Sequence, residues 1–157
     1  MGRARLRRGR APAPRRLVGH GHGAVDGTGR DGTEIDIYEG AYYKDGWPKR
    51  DSVSSNLHYD GYGDAHRSTG VGRWFVEKPY DTFHTYGLEW NEREYIFYID
   101  GVETGRSSFG GVSQNPQWLI LSVEHEFGGW AGDIRENAPG GMTDFVVDYV
   151  RVYQYKQ

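Results

Sequence analysis

The amino-acid sequence predicts an all-β protein, folded as a sandwich of two sheets. Glycine accounts for 24 of the 157 residues, and aromatic side chains, led by 12 Tyr and 5 Trp, account for another 15%. Glycine favours turns, whereas aromatic and β-branched side chains favour the pleated surface of a strand. The length is typical of one domain, and the absence of cysteine excludes a disulfide scaffold and thiolate metal sites.

Seven segments are predicted as strands because each carries β-branched or aromatic residues and ends near a turn signal. In chain order they are residues 33–39, 53–59, 82–90, 94–100, 102–106, 117–124 and 144–153. Asp100 and Gly101 separate two of these strands and form the two-residue signal of a type I′ hairpin. Antiparallel pairing of those two strands is therefore predicted.

Alternation along the strands separates an apolar face from a polar or aromatic one. The polar side of residues 53–59 carries Ser54, Asn56 and His58, and the corresponding side of residues 117–124 carries Trp118, Ser122 and Glu124. The repetition of this pattern predicts a sandwich whose concave face is open to water.

Three acidic residues crowd into the first of these strands, at Glu34, Asp36 and Glu39. Glu34 and Asp36 are in phase, but in a regular strand Glu39 would point into the core, where an unpaired carboxylate is unstable. A β-bulge between Asp36 and Glu39 restores the phase. We therefore predict a bulged strand with three acids on one face and Ile35 and Ile37 buried behind them. The competing interpretation is an ordinary solvent-facing strand with polar alternation.

Crowded carboxyl groups suit the cleavage of a glycosidic bond. Like charges at close range do not all ionise freely, so one carboxyl group keeps its proton while another stays ionised. Glycosidases need such a pair, one group to donate a proton and one to act as nucleophile or base. Acidic residues are disfavoured in strands and bulges concentrate near active sites, and both facts favour the functional interpretation.

The segments around this strand resemble, in order, those of glycoside hydrolase family 16, the laminarinase-like retaining endo-β-glycosidases. The acidic strand, residues 34–39, matches the family's bulged ExDxxE signature, and residues 83–90 resemble its FHxYxxEW strand. Further resemblance is carried by residues 56–59, 95–101, 118–123, 128–130 and 147–153. The resemblance extends over about residues 31–155.

This resemblance implies a concanavalin A-like β-jelly-roll sandwich with a substrate cleft across its concave face. Glu34 would be the nucleophile, Glu39 the general acid/base, and Asp36 a hydrogen-bonding partner of the nucleophile. The implied reaction is retaining endo-hydrolysis of a β-linked polysaccharide, with β-1,3-glucan the first expected substrate and galactans the second, and transglycosylation is a close variant. The family implies an extracellular setting, although the chain shows no signal peptide.

Residues 1–30 resemble nothing in the family, and this segment, rich in Arg, Ala, Pro and Gly, is expected to be disordered or non-native. The first 25 residues contain seven Arg and no acidic residue. A nucleic-acid-binding arm is the alternative, but no aromatic residue is interleaved there for stacking on bases, so no nucleic-acid partner is expected. No apolar run reaches the roughly 20 residues of a membrane span, and no membrane partner is expected.

Residues 31–157 are then a partial, N-terminally truncated jelly-roll domain. Half a sandwich leaves apolar faces and strand edges uncovered, so we expect low stability and weak or absent activity for this chain alone. A non-catalytic carbohydrate-binding or vestigial fragment is therefore the competing function, because jelly rolls also serve as lectins.

Several other residues share the predicted cleft face or its loops, and each has a purely structural role as its alternative. The substrate-binding candidates are Asn56, His58, Trp118, Ser122, Glu124 and Trp130, with Trp47 a weaker one. His84 shares its face with apolar residues and is expected in the core or behind the site. Asp148, isolated among valines, is expected to be buried and to need a partner. A structural calcium ion is one such partner, although the reaction requires no cofactor.

Overall fold

The computed structural model describes residues 2–5, 15–20, 34–40, 52–61, 63–79, 82–123 and 144–155. Every regular element in this part of the chain is a β-strand. The strands are β1 (Gly2–Arg5), β2 (Arg15–His20), β3 (Glu34–Gly40), β4 (Ser52–Tyr59), β5 (Arg67–Phe75), β6 (His84–Trp90), β7 (Tyr95–Ile99), β8 (Val102–Ser107), β9 (Trp118–Val123) and β10 (Val146–Val150).

Two five-stranded antiparallel sheets form the fold. One sheet has the order β10-β1-β6-β7-β8 and the other the order β5-β4-β3-β2-β9. Strand β8 contacts β5 and β6 contacts β3, so the sheets lie face to face. The predicted all-β sandwich is confirmed. Among the described residues no helix is long and apolar enough to cross a membrane.

The core lies between the sheets as two apolar clusters. One joins Tyr38 and Val53 to Val76 and Tyr86, and the Tyr38 and Tyr86 ring centroids are 4.2 Å apart. The other is formed by Ile35, Leu57, Tyr95, Phe97 and Val112. Both clusters take side chains from β3, so the acid-bearing strand is packed from behind by an apolar core that includes Tyr38 and Phe97, two of the largest fully buried side chains among the described residues.

The predicted hairpin between β7 and β8 is confirmed. Asp100 and Gly101 have φ values of 51° and 80°, the two positive angles that a type I′ turn requires. The Asp100 carboxylate lies 2.7 Å from His84 Nδ1 and accepts a 2.8 Å hydrogen bond from the Thr85 amide. Burial opposes ionisation of Asp100, but these two contacts outweigh it and hold its pKa below the usual value. His84 therefore connects the start of β6 to this hairpin.

Three strands were not predicted. Residues 1–30 are predicted to be disordered or non-native, and disorder is wrong for the ten residues of β1 and β2, which pair between β10 and β6 and between β3 and β9. Strand β5 was missed because its glycines and exposed charged residues interrupt the apolar alternation. The division of the chain at residue 30 stays a prediction.

In the described part of the chain, one side of the sandwich has exposed apolar side chains. Strand β8 lies over β5, and β6 lies over β3. The strands at the opposite edges of the two sheets, β9 and β10, therefore lie on the same side of the sandwich. Apolar side chains are exposed on both of these edge strands, including Leu119 and Leu121 on β9 and Val146 and Val150 on β10. This arrangement agrees with the expected uncovered apolar surface.

Candidate active site

The acid-bearing strand β3 is bulged where the sequence predicts it. Asp36 pairs with Asn56 on β4 and Glu39 pairs with Ser54, so one extra residue lies on β3. On the other side of the strand, the consecutive β2 residues Leu17 and Val18 pair with Tyr38 and Asp36, so the pairing with β2 skips Ile37. Ile37 is therefore the residue that neither neighbour matches, and the predicted β-bulge is confirmed.

The bulge changes which residues lie behind the acids. Ile35 and Tyr38 are buried in the two core clusters, whereas Ile37 is only half-buried against one of them. The prediction that Ile37 would be fully buried is wrong, because the extra residue moves Tyr38 onto the core face in its place. Glu34, Asp36 and Glu39 remain buried, with exposures of 3%, 0% and 3%.

Side chains of β4 tie the acids to one face of the sheet. The Asn56 amide donates a hydrogen bond to Glu39 Oε2, although Asn56 is the register partner of Asp36. His58 is the register partner of Glu34, and its Nε2 lies 3.2 Å from Asp36 Oδ2. Two acids therefore contact side chains from the same face of β4. Glu39 points to the side of Asp36 and not into the aliphatic core.

A second histidine, His66, was not predicted. It precedes β5, and its Nε2 lies 3.0 Å from His58 Nδ1. The residues between the two histidines turn sharply, since Asp60 and Gly61 have φ values of 63° and 68°. The contact depends on that turn, and no alternation within a strand could have indicated it. In the sequence, the pair Asp60-Gly61, two residue types that accept positive φ, is the local signal of this turn that we can identify.

Strands β2 and β9 extend the same face away from β3. Register places His20 opposite both Glu34 and Trp118, and Arg16 opposite both Glu39 and Ser122. Residues on one row across neighbouring strands share a face. Trp118 and Ser122 therefore lie on the acid-bearing face about 10 Å from β3, two strand spacings away. Trp118 is 72% exposed, so its ring is available to a ligand.

Other predicted site residues have different outcomes. Glu124, Trp130 and Trp47 lie outside the described residues. Asp148 is exposed, so the expectation that it is buried is wrong. It lies on the edge strand β10, between the half-buried residues Val147 and Tyr149. Among the described residues no group of three His, Asp or Glu side chains could hold a metal ion, and the calcium site stays a prediction.

The arrangement provides the groups that acid–base and nucleophilic chemistry at a sugar requires. Three buried carboxyl groups lie on one strand, and such a group is stable only when protons, cations or hydrogen-bond donors compensate it. The His58 ring and the Asn56 amide supply two such contacts.

Comparison with known proteins gives a family and several relatives. The profile of the glycosyl hydrolases family 16 matches residues 24–151. An endo-1,3-1,4-beta-glycanase of Rhizobium meliloti, ExsH, is 30% identical over 71 residues, which cover 45% of this chain and 15% of that protein. The Crh-like protein 5 of Aspergillus fumigatus is 27% identical over 104 residues, covering 60% of this chain and 26% of that one.

Solved structures share the fold. The laminarinase catalytic domain of Thermotoga maritima superposes with a TM-score of 0.63 at 20% identity, covering 99% of this chain and 63% of that one. LamAcat of Zobellia galactanivorans gives a TM-score of 0.62 at 24% identity, covering 98% and 62%. The chain thus spans under two thirds of these structures and 15% of the Rhizobium glycanase.

Proposed function

This chain belongs to the glycosyl hydrolases family 16, and from that premise we propose that it carries the machinery for retaining endo-hydrolysis of a β-linked polysaccharide. The observation that carries the proposal is the bulge at Ile37, which puts three buried acids on one face of a central strand. We take β-1,3-glucan as the first substrate to test and galactans as the second. Such polymers lie outside cells, so we also propose an extracellular setting.

Each acid has a proposed role in a two-step displacement. Glu34 attacks the anomeric carbon while Glu39 donates its proton to the leaving oxygen, so the glycosidic bond breaks and a glycosyl ester forms on Glu34. Glu39 then takes a proton from water, which attacks the same carbon and releases the sugar from Glu34. Asp36 lies between them in sequence and orients the nucleophile. A sugar hydroxyl that replaces this water gives transglycosylation.

Substrate would bind along the acid-bearing face, across the strands. The exposed indole of Trp118 suits stacking against the C–H face of a sugar ring, and Ser122 offers a hydroxyl two residues along the same strand. Asn56 and His58 line the same face next to the acids and could also contact sugar hydroxyls. These contacts support a cleft that takes a chain of several sugars.

Kinetics of amide variants test the catalytic assignment. We expect Glu34→Gln and Glu39→Gln each to lose at least about 1,000-fold in kcat on laminarin, because each removes a group that reacts or transfers a proton. Glu77→Gln, at an exposed carboxylate outside the site, is the matched control and should retain wild-type activity. Proton NMR of the first product should show the β-anomer. An α-anomer formed first, or full activity in either variant, would contradict the proposal.

The second candidate function is a non-catalytic carbohydrate-binding fragment. The exposed apolar side chains of β9 and β10 favour it. Isothermal titration with laminari-oligosaccharides separates the two functions. If the chain is an enzyme, Glu34→Gln abolishes turnover and keeps binding. If it only binds, the wild-type chain has no turnover and the substitution changes little.

A further inference from the structure

A chain of three side chains runs from the acid-bearing strand to the loop before β5. His58 lies in the middle, with Nε2 3.2 Å from Asp36 Oδ2 and Nδ1 3.0 Å from His66 Nε2. The two rings are parallel within 1°, and their centroids are 5.2 Å apart. Rings with so short a nitrogen–nitrogen distance and so large a centroid separation meet edge to edge in one plane. The contact is therefore a hydrogen bond between ring nitrogens rather than a face-to-face stack.

The geometry favours one arrangement of the protons when His58 is neutral. A hydrogen bond between two imidazole nitrogens holds one proton, since two lone pairs repel and two N–H groups clash. The Asp36 carboxylate favours a proton on His58 Nε2, which faces it. A neutral His58 protonated at Nε2 has a lone pair at Nδ1. His66 must then donate its Nε2–H to that lone pair.

We propose that His66 is a positioning residue that holds His58 in the Nε2–H tautomer, with the protonated nitrogen on the side of Asp36. The inference rests on the proposed function, in which Asp36 orients the Glu34 nucleophile. Without the donor, His58 can also populate the Nδ1–H tautomer, in which a lone pair faces the buried carboxylate. That tautomer repels Asp36 and disturbs the acids on either side of it.

The chemistry of the donor allows a matched pair of variants. In His66→Gln the amide nitrogen occupies nearly the position of Nε2 and still donates a proton, whereas in His66→Leu a side chain of similar size donates none. Asp64→Asn, at an exposed residue of the same loop, is the control. Far-UV circular dichroism and urea unfolding establish that all three variants keep the fold.

Two readouts test the proposal, and the first does not depend on catalysis. Long-range ¹H–¹⁵N NMR should show His58 as the Nε2–H tautomer in the wild type and in His66→Gln, and a mixture of tautomers in His66→Leu. On a laminari-oligosaccharide, His66→Leu should lower kcat about tenfold with KM changed less than twofold, and His66→Gln should restore kcat to within twofold of wild type.

The outcomes distinguish this inference from the proposed function. If His58 keeps one tautomer in His66→Leu, or if His66→Gln loses as much activity as His66→Leu, His66 has only a structural role and the inference is overturned. If no protein hydrolyses the glycan, the proposed function fails, and the tautomer measurement still decides the role of His66.

Discussion

Deletion of Ile37 tests the bulge directly. Ile37 is the residue of β3 that neither neighbouring strand matches. Without it, Asp36, Tyr38 and Glu39 become consecutive and continue the alternation of acid and core residues without a break. Their partners on β4 and β2 are already consecutive. We therefore expect the shortened strand to pair regularly and to keep all three acids on one face.

The expected loss of stability is small. Ile37 is half-buried against a core cluster, so its removal forfeits roughly 1 kcal/mol of apolar burial. The 2.9 Å hydrogen bond from the Ser55 hydroxyl to the Ile37 carbonyl is also lost, at about 1 kcal/mol. The free energy of unfolding should therefore fall by about 2 kcal/mol or less, because regular pairing offsets part of this. Activity should suffer more, since loss of the bulge straightens β3 and changes the spacing and direction of Glu39 relative to Glu34, and misplacement by 1 Å can reduce rates about 100-fold.

The assay combines urea unfolding, followed by circular dichroism, with kcat/KM on laminarin. Deletion of Ile35 is the matched control, because it removes a fully buried core residue and inverts the alternation between Glu34 and Asp36. That variant should lose cooperative unfolding, since emptying such a site alone costs roughly 2–5 kcal/mol. The reasoning is refuted if the Ile37 deletion unfolds as completely as the Ile35 deletion, or if it keeps full activity.

Three further predictions concern single substitutions. Gly110→Ala should destabilise the fold by roughly 1–3 kcal/mol in urea unfolding, because φ is +74° and the new Cβ would overlap the Tyr59 ring; an unchanged midpoint would contradict this. Asp100→Asn keeps the type I′ turn but loses the charge that His84 stabilises. Since the folded pKa of Asp100 is lowered, its contribution is present above pH 3.8 and lost as pH falls below it. The substitution should therefore cost about 1 kcal/mol more at pH 6 than at pH 2.5, and equal costs would contradict the assignment. Asn56→Leu removes the donor to Glu39 and should lower kcat/KM about tenfold, whereas an unchanged value would show that the contact is dispensable.

The sequence was most informative where local alternation decides the structure. Glu39 is out of phase with Asp36, and burial of an unpaired carboxylate is so unfavourable that a bulge could be predicted from this strand alone. The hairpin at Asp100 and Gly101 followed from residues that accept positive φ. Both predictions depend on residues close together in sequence, and the structure confirms both.

Features that depend on distant pairing were missed. Strand β2 has no apolar alternation of its own, yet it pairs between β3 and β9 because they flank it in the sheet. The contact of His66 with His58 arises from a turn of positive-φ residues between them. Asp148 was expected to be buried because valines surround it in sequence, but β10 is an edge strand with an exposed face.

Covalent trapping tests the central claim, that three acids on one bulged strand perform a retaining displacement. A 2-deoxy-2-fluoro-laminaribiosyl fluoride reacts with the nucleophile of a retaining glycosidase and leaves a slowly hydrolysed ester, which peptide mass spectrometry can locate. We predict a single added glycosyl group on Glu34 in the wild type and none in Glu34→Gln. A label on another residue, or turnover of laminarin by a wild-type chain that this reagent never labels, would contradict the account.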